Sequence, residues 1–355
     1  MEAPLVDLVI AVHTSTRPIS RAVASVVDHT DANIRVSVVA HNIDHNVIAA
    51  NLGVYLDHPQ VRLLALRDGI PSPAGPMNYG IDESSAQFLG VMGSDDELAP
   101  GAIDSWLALQ RSTGAGMVMA RIQNVGGGVV PAPPARPFRT HDLDPVKDRL
   151  SYRSAPLGIY SRRVFPDLRF SEGLASGEDL PFVAELWFSG AGIAFDRKGP
   201  AYLVHSDAED RVTSDPRPVR DDFEFLDIIF ERPWTARLNR SQREAFGVKI
   251  VRSHLFDALV NRADTQVWPE GERAALAEVA RNLLEWAPST QRLLSRLDQE
   301  ILASILDPES SVDGMLDLIR QRWNYTSLKV LLPRNLLLAL HRQAPLRTYA
   351  AGYLV

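Results

Sequence analysis

The sequence predicts an α/β domain with a doubly wound, largely parallel sheet, followed by a helical region. Short apolar runs rich in β-branched residues alternate with segments of helical periodicity through the first half of the chain. Strands separated by helical crossovers pair in parallel, with helices on both faces of the sheet. From about Asp215 onward the apolar spacing is helical. We therefore expect residues 1–215 to form the α/β domain and residues 216–355 a helical domain.

Four apolar runs are the predicted strands of the sheet. Each is short, contains Val or Ile, and is followed by polar residues, as expected of buried parallel strands. These runs are residues 5–12, 34–40, 61–66 and 88–92, and a later run covers 201–204.

The helical region is predicted to contain several separate helices. The second of them has a capping-box pattern at Ser241 and Glu244, in which each side chain bonds to the other's backbone N–H. The expected helices cover residues 219–230, 241–260, 270–286, 290–305 and 312–323.

The composition is that of a water-soluble protein with a substantial core. The 355 residues are 45% hydrophobic and 23% charged, with a formal net charge of −7. This charge argues against nucleic-acid binding through overall attraction, and we expect no nucleic-acid partner. The chain contains no cysteine, which excludes disulfides, thiolate nucleophiles and cysteine-ligated metals.

The sequence has neither an export signal nor a membrane-spanning pattern. The first apolar run, residues 8–12, is too short for a signal peptide, and no run approaches the ~20 apolar residues of a membrane span. We expect a cytoplasmic protein. Residues 336–355 mix leucines with His341, Arg342 and Arg347, a pattern that fits a peripheral contact with the inner face of the cell membrane or packing against a partner. A core helix explains the same pattern and is the preferred interpretation.

Polar clusters follow three of the predicted strands. They are residues 13–17, 41–44 and 94–96. In open parallel sheets, ligands bind beyond the carboxyl ends of the strands. The position of these clusters predicts a ligand site at that edge of the sheet.

The acidic run Ser94-Asp95-Asp96-Glu97 ends the fourth predicted strand. Adjacent carboxylates repel one another, and a hard cation such as Mg²⁺ or Mn²⁺ relieves that repulsion while sharing phosphate oxygens. The alternative is a solvated acidic turn that caps the following helix. The four residues by themselves slightly favour the turn.

The pair Glu178-Asp179 precedes a predicted helix with Pro181 in its first turn. The positive end of a helix dipole favours ionised carboxylates, and an oriented, ionised aspartate suits a general base. Acidic residues are also common as simple caps at this position, and taken alone the pair favours that alternative.

His205 closes the later apolar run and leads into a polar stretch that contains Arg211. A histidine at the end of a strand can bind a metal ion, and an arginine in a closing loop can bind a phosphate. A hydrogen-bonded structural histidine and a surface ion pair of Arg211 are the simpler alternatives.

Taken together, these residues resemble the GT-A glycosyltransferases of family 2. Asn78-Tyr79-Gly80-Ile81 is similar to the family's Asn-x-Gly-Ile element, and residues 88–100 are similar to its strand, metal motif and following turn. Glu178-Asp179 matches its Glu-Asp pair, and His205 falls where relatives have a histidine ligand. The similarity covers roughly residues 5–214.

The resemblance implies a GT-A fold, a mixed sheet flanked by helices, and an inverting transfer from a nucleotide-diphosphate sugar, with UDP the expected nucleotide. The catalytic residues would be Asp179, as general base, and Glu178. Mg²⁺ or Mn²⁺ would be held by Asp95, Asp96 and His205. The donor would be bound by His13, Thr14, Arg17, Asn42, Arg67, Asn78, Ser94, Asp95 and Arg211.

Three departures from the family pattern weaken this prediction. Gly93 replaces the first aspartate of the metal motif, which makes Asp95 the principal carboxylate. Asn42 replaces the aspartate that reads uracil, and Met77 replaces a basic residue for which Arg67 would compensate. These departures favour the alternative of a non-catalytic nucleotide-sugar-binding or scaffold protein. A nucleotidyltransferase is disfavoured because residues 13–17 contain no glycine.

The resemblance also implies the partners. The acceptor would be a saccharide, a glycolipid or a cell-surface polymer. The helical region would bind the acceptor, associate with a membrane, or form a homo-oligomer, and its sequence contains no motif that distinguishes these roles.

Overall fold

In a computed structural model, the described residues are 3–206, 217–262, 268–269 and 271–354. The chain divides into two compact units. The first comprises residues 1–130, 138–143 and 153–211, and the second comprises residues 131–137, 144–152 and 212–355. The units are therefore not simply the two successive segments 1–215 and 216–355.

Specific contacts explain why the second unit includes residues from the first half of the chain. Asp148 is buried and accepts two side-chain hydrogen bonds from Arg136, at 2.8 and 2.6 Å. Arg149 donates to the carbonyl of Pro134 at 2.8 Å and to that of Arg342 at 2.7 Å. The Arg136–Asp148 bonds join the two short segments to each other, and the Arg149–Arg342 bond joins the second of them to the later part of the chain.

The first unit is built on a seven-stranded mixed sheet with the strand order β3-β2-β1-β4-β8-β6-β9. β1, β2, β3 and β4 are parallel, β8 runs antiparallel to both β4 and β6, and β9 is parallel to β6. The strands are β1 Val6–Val12, β2 Ile34–His41, β3 Val61–Leu66, β4 Phe88–Met92, β5 Glu97–Leu98, β6 Met117–Ala120, β7 Ile122–Asn124, β8 Gly158–Ser161, β9 Ile193–Asp196 and β10 Tyr202–Val204. The predicted α/β fold with a mixed sheet is confirmed.

The helices of the first unit follow the strands in the expected alternation. They are α1 Ile19–Val27, α2 His45–Leu52, α3 Ala74–Asp82, α4 Ala102–Thr113 and α5 Asp179–Phe188. The apolar faces of α1, α2 and α4 join β1, β2 and β4 in one core, in which Trp106 of α4 is 1% exposed. Burial of this apolar surface supplies most of the driving force for the layered fold.

A second sheet, with the order β5-β10-β7, lies beside the acidic run. β10 pairs antiparallel with β5, so that Tyr202 is opposite Leu98 and Leu203 opposite Glu97. It pairs in parallel with β7 on its other side. This pairing places His205 next to the acidic run, although more than a hundred residues separate them.

The second unit is helical in the described ranges, as predicted. Its helices are α6 Val219–Glu231, α7 Arg240–Ile250, α8 Phe256–Asn261, α9 Glu272–Trp286, α10 Thr290–Leu293, α11 Arg296–Leu306, α12 Val312–Gln321, α13 Leu328–Leu331 and α14 Pro345–Gly352. None of the helices within these ranges is long and apolar enough to cross a bilayer.

The start of α7 differs from its prediction. The capping box is formed by Asn239 and Gln242 rather than by Ser241 and Glu244. Asn239 accepts from the Gln242 N–H at 3.1 Å, and the Gln242 side chain accepts from the Asn239 N–H at 2.9 Å. Glu244 is instead buried and bonded to Arg240 at 2.9 Å. The sequence contains two overlapping capping-box patterns, at 239–242 and 241–244. The earlier one is formed, and the buried Glu244 does not act as a cap.

Candidate functional site

The carboxyl ends of β1, β2, β3 and β4 form one edge of the large sheet, because these neighbouring strands are parallel. The polar residues predicted to bind a ligand follow these ends: His13 after β1, Asn42 after β2, Arg67 after β3 and Ser94 after β4. The topology thus brings the predicted clusters to one sheet edge, where ligands bind in open α/β folds.

The acidic turn after β4 is neutralised in part by arginines of the β1–α1 segment. Arg17 Nη1 lies 2.7 Å from Asp95 Oδ2, and both side chains are largely buried. Arg21, on α1, donates to the main-chain carbonyl of Asp95. The negative charge of Asp95 is thus balanced by the guanidinium of Arg17 within the protein.

Glu97 and His205 form a second side-chain contact beside this turn. Their side chains meet through His205 Nε2 and Glu97 Oε2, and the guanidinium of Arg21 approaches the same carboxylate at 3.9 Å. The imidazole of His205 is therefore directed at Glu97, not at a shared position with Asp95 and Asp96. Neither Arg21 nor Glu97 was among the predicted site residues.

Asp96 is held by protein donors on both of its carboxylate oxygens. The Tyr202 hydroxyl donates to Oδ2 at 2.6 Å, and the His205 main-chain N–H donates to Oδ1 at 3.1 Å. The Gly93 N–H donates to the same hydroxyl at 2.9 Å. Burial raises the pKa of Asp96 and outweighs these hydrogen bonds, which lower it.

The three predicted metal ligands do not converge. In the part of the chain that the structure describes, no group of three or more His, Asp or Glu side chains is arranged to hold a metal ion. Asp96 is a support of the turn, and His205 faces Glu97. Asp95 still fits a cation bound together with a nucleotide, because Mg²⁺ sites often use one or two carboxylates plus substrate phosphates.

Asn42 is fully used within the protein, which corrects its predicted role in reading a nucleobase. Its side-chain amide donates to Asp68 Oδ1 at 3.0 Å and to the Ile70 carbonyl at 3.2 Å. Its side-chain oxygen accepts from the main-chain N–H groups of Asp68 and Gly69, at 3.1 and 3.0 Å. An amide with two donated and two accepted bonds has no further capacity for a base edge.

Asp68, which the prediction missed, supplies a carboxylate beside Asn42. His41 Nε2 and the Ile70 N–H both lie 2.9 Å from its Oδ1. Burial would raise the pKa of Asp68, but the bonds from Ile70, His41 and Asn42 outweigh it and lower the pKa to about 2. The available signal was an aspartate two residues after β3, at the ligand edge.

The side chain of Asn78 is bonded within the protein, to residues of the segment that precedes α5. It is buried and donates to the Phe170 carbonyl at 3.0 Å and to Glu172 Oε1 at 2.9 Å, while it accepts from the Phe170 N–H at 2.9 Å. A Cβ at Gly80 would lie 2.4 Å from Val9 Cγ1, so this glycine allows α3 to pack on β1. The predicted donor-binding role of Asn78 is therefore replaced by a structural one.

The Glu178-Asp179 pair begins α5, as predicted. Asp179 is the first residue of the helix and Glu178 precedes it, without a side-chain capping bond from Glu178. Both side chains are half-buried. The segment before them is anchored by Asn78 and by the Ser171 N–H, which donates to the Glu178 carbonyl at 3.1 Å. The carboxylate of Asp179 therefore starts a helix whose N-terminal dipole favours its ionised form.

The remaining predicted residues are distributed along the same edge. Ser94 is buried in the turn, His13 and Arg67 are exposed, and the Thr14 hydroxyl lies 3.0 Å from that of Thr16. Arg211 lies outside the described residues.

Comparison with known proteins shows which family the first unit resembles. Residues 7–169 match the model of the family described as glycosyl transferase family 2. The first unit, which contains most of these residues, is similar to that family and has the GT-A fold; it is called the family 2-like domain below. The acidic turn after β4 and the Asn78–Gly80 element both lie within the matched part of this domain.

A curated relative and two solved structures resemble the chain. The chain is 26% identical over 220 residues to the succinoglycan biosynthesis protein ExoO of Rhizobium meliloti (strain 1021). The aligned region covers 58% of this chain and 61% of that protein. The chain thus spans less than two thirds of that relative. S. aureus TarS 1–349 in complex with UDP-GlcNAc superposes with a TM-score of 0.73 at 16% identity, covering 89% of this chain and 90% of TarS 1–349.

TarS 1–349 in complex with UDP superposes over the same shares of both chains, with a TM-score of 0.67 at 15% identity. At these identities the likeness is one of fold. The Glu178-Asp179 pair of the family 2-like domain follows the matched segment by only a few residues.

Gly93 stands where the family that the chain resembles has an aspartate, and its surroundings leave little room for a side chain. A Cβ at this position would lie 2.6 Å from Asp96 Oδ2. A larger residue would therefore displace Asp96 from Tyr202. Glycine at position 93 and the bridging tyrosine belong to the same arrangement of the turn.

Proposed function

We propose that this protein is an inverting glycosyltransferase that moves a sugar from a nucleoside-diphosphate donor to a hydroxyl of a saccharide, glycolipid or polymer. The observation that carries the proposal is the pair Arg17–Asp95 at the carboxyl ends of β1 and β4. Such a pair offers a guanidinium for phosphate oxygens and a carboxylate for a cation on the diphosphate. The family 2-like domain supports the same activity.

In the proposed reaction Asp179 accepts the proton of the acceptor hydroxyl. The hydroxyl oxygen forms a bond to the anomeric carbon while the bond from that carbon to the diphosphate oxygen breaks. The electron pair leaves with the nucleoside diphosphate, and a single displacement inverts the anomeric configuration. The position of Asp179 at the start of α5 favours the ionised carboxylate, which is the form that can accept a proton. Glu178 would orient the acceptor.

On the donor side, Arg17 would exchange its contact with Asp95 for the diphosphate. His13, Thr14 and Ser94 would line the nucleoside pocket at the ends of β1 and β4. A bound Mg²⁺ or Mn²⁺, held by Asp95 and the donor diphosphate, would neutralise charge on the leaving group.

We further propose that Asp68, rather than Asn42, offers the carboxylate that recognises the base. It follows β3 at the ligand edge, and the bonds that lower its pKa keep it ionised at neutral pH. The complexes of TarS with UDP-GlcNAc and UDP support a uridine nucleotide as donor. The relation to a succinoglycan biosynthesis protein supports a polysaccharide acceptor. This proposal also includes three predictions from the sequence: that the helical region binds the acceptor, that it mediates self-association, and that the protein is cytoplasmic.

The alternative is a nucleotide-sugar-binding protein without turnover. Gly93 favours it, because the turn lacks the family's first aspartate and Asp96 is engaged by Tyr202. The two functions differ in one measurement, the release of nucleoside diphosphate from the donor.

The test is hydrolysis and transfer across a panel of UDP-, GDP- and dTDP-sugars, with Mg²⁺, with Mn²⁺ and with a chelator. We expect turnover with a UDP-sugar and a divalent cation. Asp179→Asn should lower turnover by at least about 100-fold while leaving UDP affinity within about twofold, a bound set to exclude misfolding. The matched control is Asp167→Asn, an exposed aspartate upstream of α5. Binding of a nucleotide sugar by the wild type without any turnover would favour the binding protein.

A further inference from the structure

Residues 318–355 differ in charge from the rest of the chain. They contain six Lys and Arg residues and no Asp or Glu, whereas the whole chain has a net charge of −7. Arg322 is used internally, where it donates to Asp298 at 3.0 Å. Arg334, Arg342 and Arg347 are exposed, and within the described ranges no ion pair involves them. Their charge is therefore available to a partner.

The same segment exposes large apolar side chains. Trp323, Leu337, Leu340 and Tyr353 are 64, 91, 73 and 74% exposed. Among the described residues before position 318, the large hydrophobic side chains that are more than half exposed are those of Val54 and Phe138. The concentration in 323–354 is unlike a folded surface without a partner, on which exposed apolar residues are scattered. The preferred prediction of a core helix over 336–355 is therefore wrong for Leu337, Leu340 and Tyr353.

Side-chain contacts hold this segment together as one surface. Tyr325, between α12 and α13, stacks on Tyr349 of α14 with ring centroids 4.9 Å apart. Tyr349 also meets Tyr353, edge to face, at 4.9 Å. Arg347 donates to the Leu340 carbonyl at 3.1 Å, which ties the leucines before α14 to that helix. The exposed apolar and cationic side chains of this segment are called the basic apolar patch below, and they are Trp323, Arg334, Leu337, Leu340, Arg342 and Tyr353.

We propose that this patch is a docking surface for an anionic lipid bilayer. Leucines insert into the boundary between headgroups and acyl chains, Trp and Tyr favour that boundary, and arginines are attracted to anionic headgroups. The charge complementarity is specific to this segment, because the rest of the chain is acidic. Docking would place the proposed transfer reaction at the bilayer surface. The docking proposal holds whether or not the protein catalyses that reaction.

A second copy of the chain fits the patch less well. A two-fold symmetric contact would place the same surface on both partners and would bring Arg334 and Arg342 of each close to those of the other. The patch offers no carboxylate to offset that repulsion. An anionic bilayer satisfies both the apolar and the cationic side chains.

The test is co-sedimentation of the full chain with vesicles of phosphatidylcholine alone and of equal parts phosphatidylcholine and phosphatidylglycerol. We expect binding to the anionic vesicles that weakens as salt is raised, and little binding to the neutral ones. Leu337→Glu should lower vesicle affinity by at least about tenfold. Arg334→Gln combined with Arg342→Gln should lower it by about 30-fold, since each cation contributes about fivefold.

The matched controls are Val54→Glu and Arg163→Gln, at exposed positions of the first unit. Both should bind vesicles within about twofold of the wild type, a margin close to measurement error. Equal binding to neutral and anionic vesicles, or unchanged binding of Leu337→Glu, would overturn the proposal. So would a concentration-dependent oligomer, measured by light scattering, that Leu337→Glu abolishes in a protein that does not bind vesicles.

Discussion

Arg17 Nη1 and Asp95 Oδ2 are 2.7 Å apart, in an ion pair that joins the loop after β1 to the acidic turn after β4. The two side chains are only 10 and 12% exposed, so solvent screens the pair weakly. The same carboxylate is the one that fits a cation on a donor diphosphate. In the proposed reaction Arg17 and a divalent cation would compete for Asp95, and a diphosphate that binds both would resolve the competition.

Arg17→Gln should separate these two effects. Without the guanidinium, Asp95 is more available to a cation, and Mn²⁺ affinity in the absence of nucleotide should rise by at least about two- to fivefold, the range of exposed ion pairs and so a lower bound for this largely buried one. UDP affinity should fall, because a phosphate contact is lost. Calorimetric titration with Mn²⁺ and then with UDP measures both. A fall in both affinities would contradict the proposed competition.

Tyr202→Phe should destabilise the acidic turn without changing its sequence. The hydroxyl joins the Gly93 N–H to Asp96 Oδ2, and its removal leaves a buried carboxylate oxygen without a donor. We expect a loss of about 1–3 kcal/mol in the free energy of unfolding. Tyr353→Phe, at an exposed tyrosine, is the control and should have little effect. Denaturant titration of both variants provides the comparison, and equal stabilities would contradict the role assigned to Tyr202.

Asn78→Asp should affect catalysis through the segment that precedes Asp179. A carboxylate at position 78 would face Glu172 Oε1 and the Phe170 carbonyl, which now accept from the Asn78 amide. We expect a loss of at least about 2 kcal/mol in stability, the cost of unpaired buried polar groups. The kcat should fall while donor affinity changes little. Asn46→Asp, on the exposed side of α2, is the matched control. A raised donor KM with unchanged kcat would instead favour direct donor contact by Asn78.

Asp68→Asn should flatten the acid limb of the stability curve. The pKa of Asp68 is lowered from 3.8 to about 2 in the folded protein, so its ionised form favours folding. This contribution is complete above the unfolded value and is lost as the pH falls from 3.8 toward 2. Thermal unfolding midpoints across that range should decline less in Asp68→Asn than in the wild type. Asp57→Asn, at an exposed aspartate, should follow the wild type. Parallel curves for all three proteins would rule out the proposed network.

Local patterns in the sequence were sufficient to predict the strands, the helical second half and the start of α5. β1, β2 and β4 are short apolar runs that end in polar residues, and their burial follows from that pattern. The parallel pairing followed from the helices between them. The acidic turn and the Glu178-Asp179 pair were also found, because each directly follows or begins a regular element.

Only the tertiary structure decided which atoms those residues contact. Asp96 meets a hydroxyl 106 positions away, and Asp95 meets the guanidinium of Arg17 from the opposite side of the turn. The sequence predicted that Asn42 would bind a nucleobase. In the structure, the loop after β3 occupies both donor and both acceptor positions of its side-chain amide. The sequence by itself determined where the fold places polar groups, because periodicity is a local property. Their partners depended on pairing between distant segments, since a carboxylate or amide is satisfied by whichever donors the fold brings to it.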